Sequence, residues 1–381
     1  MKINPALAMA LSALSAGILI SCVKPAEENK VSEVDSQVAQ ESATSTTPDK
    51  KDNNAEKISA VDISPDTEKT YLTHVANDIV IPAYADAAKQ SDLLHDLAKK
   101  SCQQAPVSGD ALKELRDQWL VLAQAWASAE MVNFGPATAS MSNLYINYYP
   151  DERGLVHSGV ADLIAANSKL TAEQLANESA IVQGVPGLEE VLYANDSLDA
   201  GQCAYVMSAS SALSTRLKDI EKNWQQNATD LLAIDKTAES DQGLNQWFNS
   251  LLSLVETMKS NAIDQPLGLT AKAKGHLPAA TAGQSRAIIT AKLATLNQAM
   301  TDPVLTAILG GNNENAVADS LSTALADTTT LLAQLPEDLA TADKATQQEL
   351  LDHLTSITRI IKRQLIPTLG LRVGFNSTDG D

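Results

Sequence analysis

The residues best placed to do chemistry lie in one short run, Gln183-Gly184-Val185-Pro186-Gly187-Leu188-Glu189-Glu190-Val191-Leu192-Tyr193. Pro186 suits the first turn of a helix, because the amide proton it lacks would have no partner there. Glu189 and Glu190 would then fall in that turn, where the helix dipole favours negative charge. Leu188, Val191 and Leu192 recur at helical spacing and give the helix one buried face. Two adjacent carboxylates behind a glycine-rich start can hold a cation or a proton. The same residues can equally make a well-formed helix start.

Familiar catalytic spacings are missing elsewhere. The chain has no His-Glu-x-x-His, no Gly-x-Ser-x-Gly, no phosphate loop and no Cys-x-x-Cys. His74, His95, His157, His276 and His353 are scattered, no two of them four apart, and read as surface or interhelix residues. Asp379-Gly380-Asp381 can bind a cation or form a solvated tail. The net charge of −19 repels nucleic acid and anionic head groups and suits cationic partners. No nucleic-acid partner is expected.

Three stretches carry a family resemblance. Gly184-Val185-Pro186-Gly187-Leu188-Glu189 resembles the Gly-x-His-x-x-Glu signature of the imelysin family of bacterial cell-envelope proteins. Trp119, Trp126 and Phe134-Gly135-Pro136 resemble the Trp…Trp…Phe-Gly-Pro run of its lipoprotein branch. Leu369-Gly370-Leu371, Gly374-Phe375-Asn376 and Asp379-Gly380-Asp381 resemble that branch's ending. The chain departs from the pattern at Pro186, where the signature has histidine, and at Asn133, where a basic residue is expected. The resemblance implies two four-helix-bundle-like halves with the signature near their junction. It also implies a link to iron uptake, and the family is classed provisionally with the peptidase M75 metallopeptidases. The family's functional glutamate falls on Glu189.

The elements that must position this stretch follow from the chain's start. Residues 1–21 read as a lipoprotein signal peptide, with Lys2 ahead of the apolar run Ala6–Ile20, which is short for a membrane span. Leu19-Ile20-Ser21-Cys22 resembles a lipobox and marks Cys22 as the lipidation site. Val23 after it, rather than Asp, favours the periplasmic face of the outer membrane. Residues 22–65 read as a disordered tether, too polar to offset the entropy of ordering. Such a coil spans roughly 35–40 Å.

From residue 66 the pattern is helical, and the expected fold is all-α, with helical bundles over 66–235 and 236–381. Tyr71, Val75, Ile79 and Ala83 recur four apart, and Pro82 is expected to kink or end their helix. Leu112, Leu115, Trp119, Leu122 and Trp126 form an apolar stripe that reads as core. A long helix runs from near Asp199 to Ile234, and four more cover Gln242–Ile263, Gln284–Met300, Asn315–Leu335 and Lys344–Leu365. Once Cys22 is lipidated, Cys102 and Cys203 are the remaining thiols. An oxidising periplasm predicts a disulfide between them, and two separate buried thiols are the alternative.

These readings lead to a non-enzymatic, outer-membrane-anchored lipoprotein that binds a metal or a partner and assists iron uptake. A metallopeptidase and a structural envelope lipoprotein are the competing functions. Pro186 counts against the peptidase, since it offers no imidazole to hold zinc or act as a base. A cation held by Glu189 would need help from Glu190, Glu130, Asp151 or the C-terminal aspartates. Such an oxygen-only set favours Ca²⁺ or ferric iron. The stretch Gly184–Tyr193 is expected to line a cleft between the bundles, with Glu189 pointing into it.

Overall fold

Apolar residues at helical spacing generate the architecture, which a computed structural model describes for residues 60–231, 243–311 and 315–374. Cys22, the signal and most of the tether, residues 235–241 and the acidic ending 375–381 lie outside the described residues. The body begins slightly before residue 66: Val61 is buried and its amide donates to Thr368 O at 2.7 Å. Val61 and Ile63 are the apolar residues at the end of a polar stretch, and both pack on the core.

Helix α1 (Pro65–His74) starts at Ser64, whose hydroxyl accepts from the Thr67 amide. It passes through a π-helical turn (Val75–Val80) into α2 (Ile81–Ser101). Pro82 therefore neither ends the helix nor stands as a simple kink. The residue before it, Ile81, donates to Ala76 O, five residues back. The wider turn accommodates the ring and the missing amide hydrogen. The same device recurs before Pro266 and Pro367, where Gln265 donates to Ser260 O and Ile366 to Ile361 O. All three helices would otherwise break at their prolines.

After the short pair β1 (Val107–Ser108), α3 (Gly109–Ala129) carries Trp119 and Trp126, both buried as the stripe predicts. Small helices follow: α4 (Ser142–Ile146), α5 (Leu155–Ala166) and α6 (Ala172–Ala176). Then comes α7 (Gly184–Tyr193), the pair β2 (Ser197–Leu198) and the long α8 (Ala200–Leu231). The two strands form one antiparallel bridge, Val107 opposite Leu198. Beside it a disulfide joins Cys102, at the end of α2, to Cys203, in the first turn of α8.

The second half holds α9 (Leu244–Lys259), which continues through a π turn (Ser260–Asp264) into α10 (Gln265–Leu267). It continues with α11 (Ser285–Met300), α12 (Pro303–Gly310) and α13 (Asn315–Gln334). Helix α14 (Lys344–Ile360) runs through a third π turn (Ile361–Leu365) into α15 (Ile366–Thr368). The sequence reading had no helix at α12. Asp302 makes it, accepting from the Val304 and Leu305 amides, with its other oxygen 2.7 Å from His74 Nε2.

Helices α2, α3, α7 and α8 pack together, and α9, α11, α13 and α14 form a second group. Helix α3 lies against α11, so the two groups share a contact face, and their buried residues form one continuous core. Aromatic pairs tie helices together both within the first group and between the two. Trp224 stacks on Tyr84 and meets Phe134 edge-on. Tyr71 stacks on Phe248 and receives a hydrogen bond from Trp247 Nε1 at 3.2 Å. Among the described residues no helix is long and apolar enough to cross a membrane.

Candidate functional site

The face shared by α3 and α11 is where the sequence's central stretch arrives. Gly184 opens α7 with φ of +71°, and a Cβ there would overlap the backbone carbonyl of Ile146. Only glycine allows this approach. Gly187 has no room either, because a Cβ would meet the Tyr205 hydroxyl, which donates to Val182 O at 2.9 Å. Trp119 Nε1 donates to Val185 O at 3.0 Å and ties the start of α7 to α3.

The helix begins earlier than expected, at Gly184. Pro186 is still in the first turn, but Glu189 and Glu190 fall in the second, one turn beyond the free amides. They are therefore not dipole-stabilised helix-start carboxylates. Neighbouring residues in sequence, they take different partners. Glu190 faces outward, its oxygens 2.8 Å from Thr281 Oγ1 and 2.9 Å from His157 Nδ1. Glu189 is 8% exposed, and its Oε1 accepts from the Ala282 amide at 3.0 Å.

Glu189 and Pro186 line a cavity of about 40 Å³ between α3, α7, α11 and the loop at His276–Ala279. That space suits one or two waters, not a peptide. Trp119, Trp126, Glu130, Tyr149, His276 and Lys292 also line it. Glu130 caps the C-terminal end of α3, where the helix dipole disfavours a negative charge. Lys292, 3% exposed, offsets it with Nζ at 2.7 Å from Glu130 Oε2. Asn147 Nδ2 approaches the other Glu130 oxygen at 3.5 Å. Tyr149 donates from one hydroxyl position towards Asn261 O and His276 O, both at 3.0 Å. Burial, then the charges of Glu130 and Glu189, push the pKa of this phenol well above its ordinary value, so it remains neutral.

Glu190 and Asp151 do not join the cavity. Asp151 is buried at the start of α5, where its oxygens accept from the Leu155 and Val156 amides. The five histidines are dispersed, as read from the sequence; only His276 reaches the cavity, with Nδ1 2.9 Å from Leu277 O. Among the described residues no three of His, Cys, Asp and Glu cluster as a metal set requires. The donors at the cavity do not fit a transition metal: the signature position offers a proline ring, and a lysine ammonium already neutralises Glu130. Lys292 was not anticipated. Its signal was present, a lysine within the buried stripe Ile288, Ile289, Leu293 and Leu296.

Burial pushes the Glu189 carboxyl up from 4.5 to about 7, against the smaller opposing effect of the Ala282 hydrogen bond. The folded protein thus holds this proton more tightly than the unfolded chain. Its stabilising effect is complete below pH 4.5 and is lost as pH rises through 7. The loss should be about 3 kcal/mol. Glu189→Gln, which keeps the neutral form, is expected to remove that part of the slope. Urea titrations of both proteins across this range provide the check; parallel stability curves would mean Glu189 stays solvated.

The chain is similar to known proteins in sequence and fold. The sequence model of the Imelysin family matches residues 80–364. The crystal structure of an imelysin-like protein from Psychrobacter arcticum 273-4 is 89% identical, covers 84% of this chain and 100% of its own, and superposes with a TM-score of 0.82. A protein from Parabacteroides distasonis ATCC 8503, assigned provisionally as an iron-regulated protein A precursor, is 13% identical. It covers 80% of this chain and 97% of its own with a TM-score of 0.61, a likeness of fold alone. A search of curated proteins finds no match.

Proposed function

Because the chain belongs to the imelysin family, we propose that it is a non-enzymatic, lipid-anchored envelope protein that assists iron uptake by binding a partner. The observation that carries this reading is the cavity at the family signature. Its one signature carboxylate is hydrogen-bonded to backbone, its second carboxylate is neutralised by Lys292, and Pro186 stands in the histidine position. A hydrolase needs an open position at which substrate meets a base or a metal-bound water. This cavity lacks the room, and the one imidazole lining it, that of His276, is bonded through Nδ1 to Leu277 O. The resemblance of Leu19–Cys22 to a lipobox supports anchoring at Cys22 on the periplasmic face of the outer membrane. The iron connection rests on the family resemblance and on the name given to the distant structural relative. A surface at −19 suits a cationic partner.

The test pairs wild type with Glu189→Gln. Neither is expected to cleave an unfolded protein substrate, with or without added Zn²⁺. Calorimetric titration of ferric iron, Zn²⁺ and Ca²⁺ should give at most weak binding that the substitution leaves unchanged. Metal-dependent cleavage by wild type, lost in Glu189→Gln, would make the protein a metallopeptidase and overturn the reading.

A further inference from the structure

A second cavity lies apart from the signature stretch, none of whose residues line it. A groove of about 810 Å³ runs between α8, α6 and the segment that follows Phe134. Its size is that of a small-molecule site. Pro136, Ala139, Ala172, Ala176, Ala212 and Ile220 make its surface mainly apolar. Gly135 and Pro136, from the Phe-Gly-Pro run, form part of the wall.

Two features mark the groove as more than a surface irregularity. Ser140, which lines the groove, has φ of +53°, and the next residue, Met141, has φ of +57°; neither is glycine. Each left-handed residue costs roughly 1–3 kcal/mol, and such strain concentrates at ligand clamps. Met141, beside the lining rather than in it, is 59% exposed. The second feature is Arg216. Its guanidinium is half-buried and lies 4.6 Å from the centre of the Tyr145 ring. Among the described residues it has no hydrogen bond or ion pair; Asp219, one turn along α8, acts on it only through space. Stacking on Tyr145 fixes the plane of the guanidinium and leaves its N–H edges for a planar, two-oxygen acceptor.

We propose that this groove binds a small organic carboxylate with an apolar body. The carboxylate pairs with Arg216, and the body lies along the alanine- and proline-lined wall. Asp219 and Glu173 also line the groove. Together with the net charge of −19 they disfavour multiply charged anions, so a monocarboxylate fits better than phosphate.

Octanoate serves as the probe, titrated calorimetrically into the full-length chain, with octanol and inorganic phosphate as comparisons. Octanoate is expected to bind with saturation in the millimolar range or tighter, and octanol and phosphate at least tenfold more weakly. Arg216→Gln should weaken octanoate at least tenfold. Ala176→Trp, which fills the groove from an exposed position, should weaken it likewise while leaving the thermal midpoint unchanged. Absence of octanoate binding at millimolar concentration, equal binding of octanol or phosphate, or unchanged binding in a folded Arg216→Gln protein would each overturn the proposal.

Discussion

Protein lacking the Cys102–Cys203 bridge is expected to unfold about 4–5 kcal/mol more easily than the oxidised form. The bridge closes a loop spanning 101 positions, and its Cα atoms stand 5.5 Å apart. Without it the unfolded chain gains the conformational freedom of that whole loop, which includes α3 to α7. The native state keeps its other ties at this end, namely the β1–β2 bridge and the long packing of α2 on α8. The effect should therefore appear mainly as a lower denaturant midpoint rather than a changed fold. Cys102→Ala combined with Cys203→Ala avoids leaving a lone reactive thiol. Matching urea midpoints for this variant and the oxidised wild type would show that the loop is already constrained in the unfolded ensemble.

Lys292→Met should cost about 3 kcal/mol, because it leaves Glu130 beside the cavity with no counter-charge. Lys292 is 3% exposed and Glu130 is 26% exposed in its side chain, so the lower end of the range for broken buried pairs applies. The methionine nearly preserves the shape of the lysine stem. Adding Glu130→Gln to Lys292→Met should restore most of the loss, since no unpaired charge then remains. The double-mutant cycle isolates this coupling from the loss of packing. If Lys292→Met lies within experimental error of wild type, Glu130 reaches water and the pair does not organise the cavity. The outcome bears on function too. A cavity whose charge balance is closed by the chain's own ammonium has less need of an external cation than one built from carboxylates and imidazoles alone.

Much of this molecule was determined by the sequence itself. Apolar residues at helical spacing specified nearly every long helix, because an amphipathic stripe has one low-energy way to bury itself. The stripe of Trp119 and Trp126 became core for the same reason. Pro186 marked a helix start through a backbone constraint that is local and therefore visible in a linear string, although the helix begins two residues earlier, at Gly184, where the approach to Ile146 demands glycine. What sequence could not supply was the fate of groups whose partners are distant. The π turns before Pro82, Pro266 and Pro367 answer a local steric problem, but their continuation as helix depends on the packing of both flanking segments. Helix α12 depends on Asp302, which is held in turn by His74 from the far end of the chain. Glu189 and Glu190 are adjacent in sequence and opposite in role. One is buried against Ala282 and the other meets Thr281 and His157, a division set by which side of α7 faces α3 and α11. Lys292 met Glu130 only because two helix groups share a face. Local conformation follows from short-range sterics and burial periodicity, whereas charge balance depends on long-range juxtaposition, and only the tertiary structure decides that.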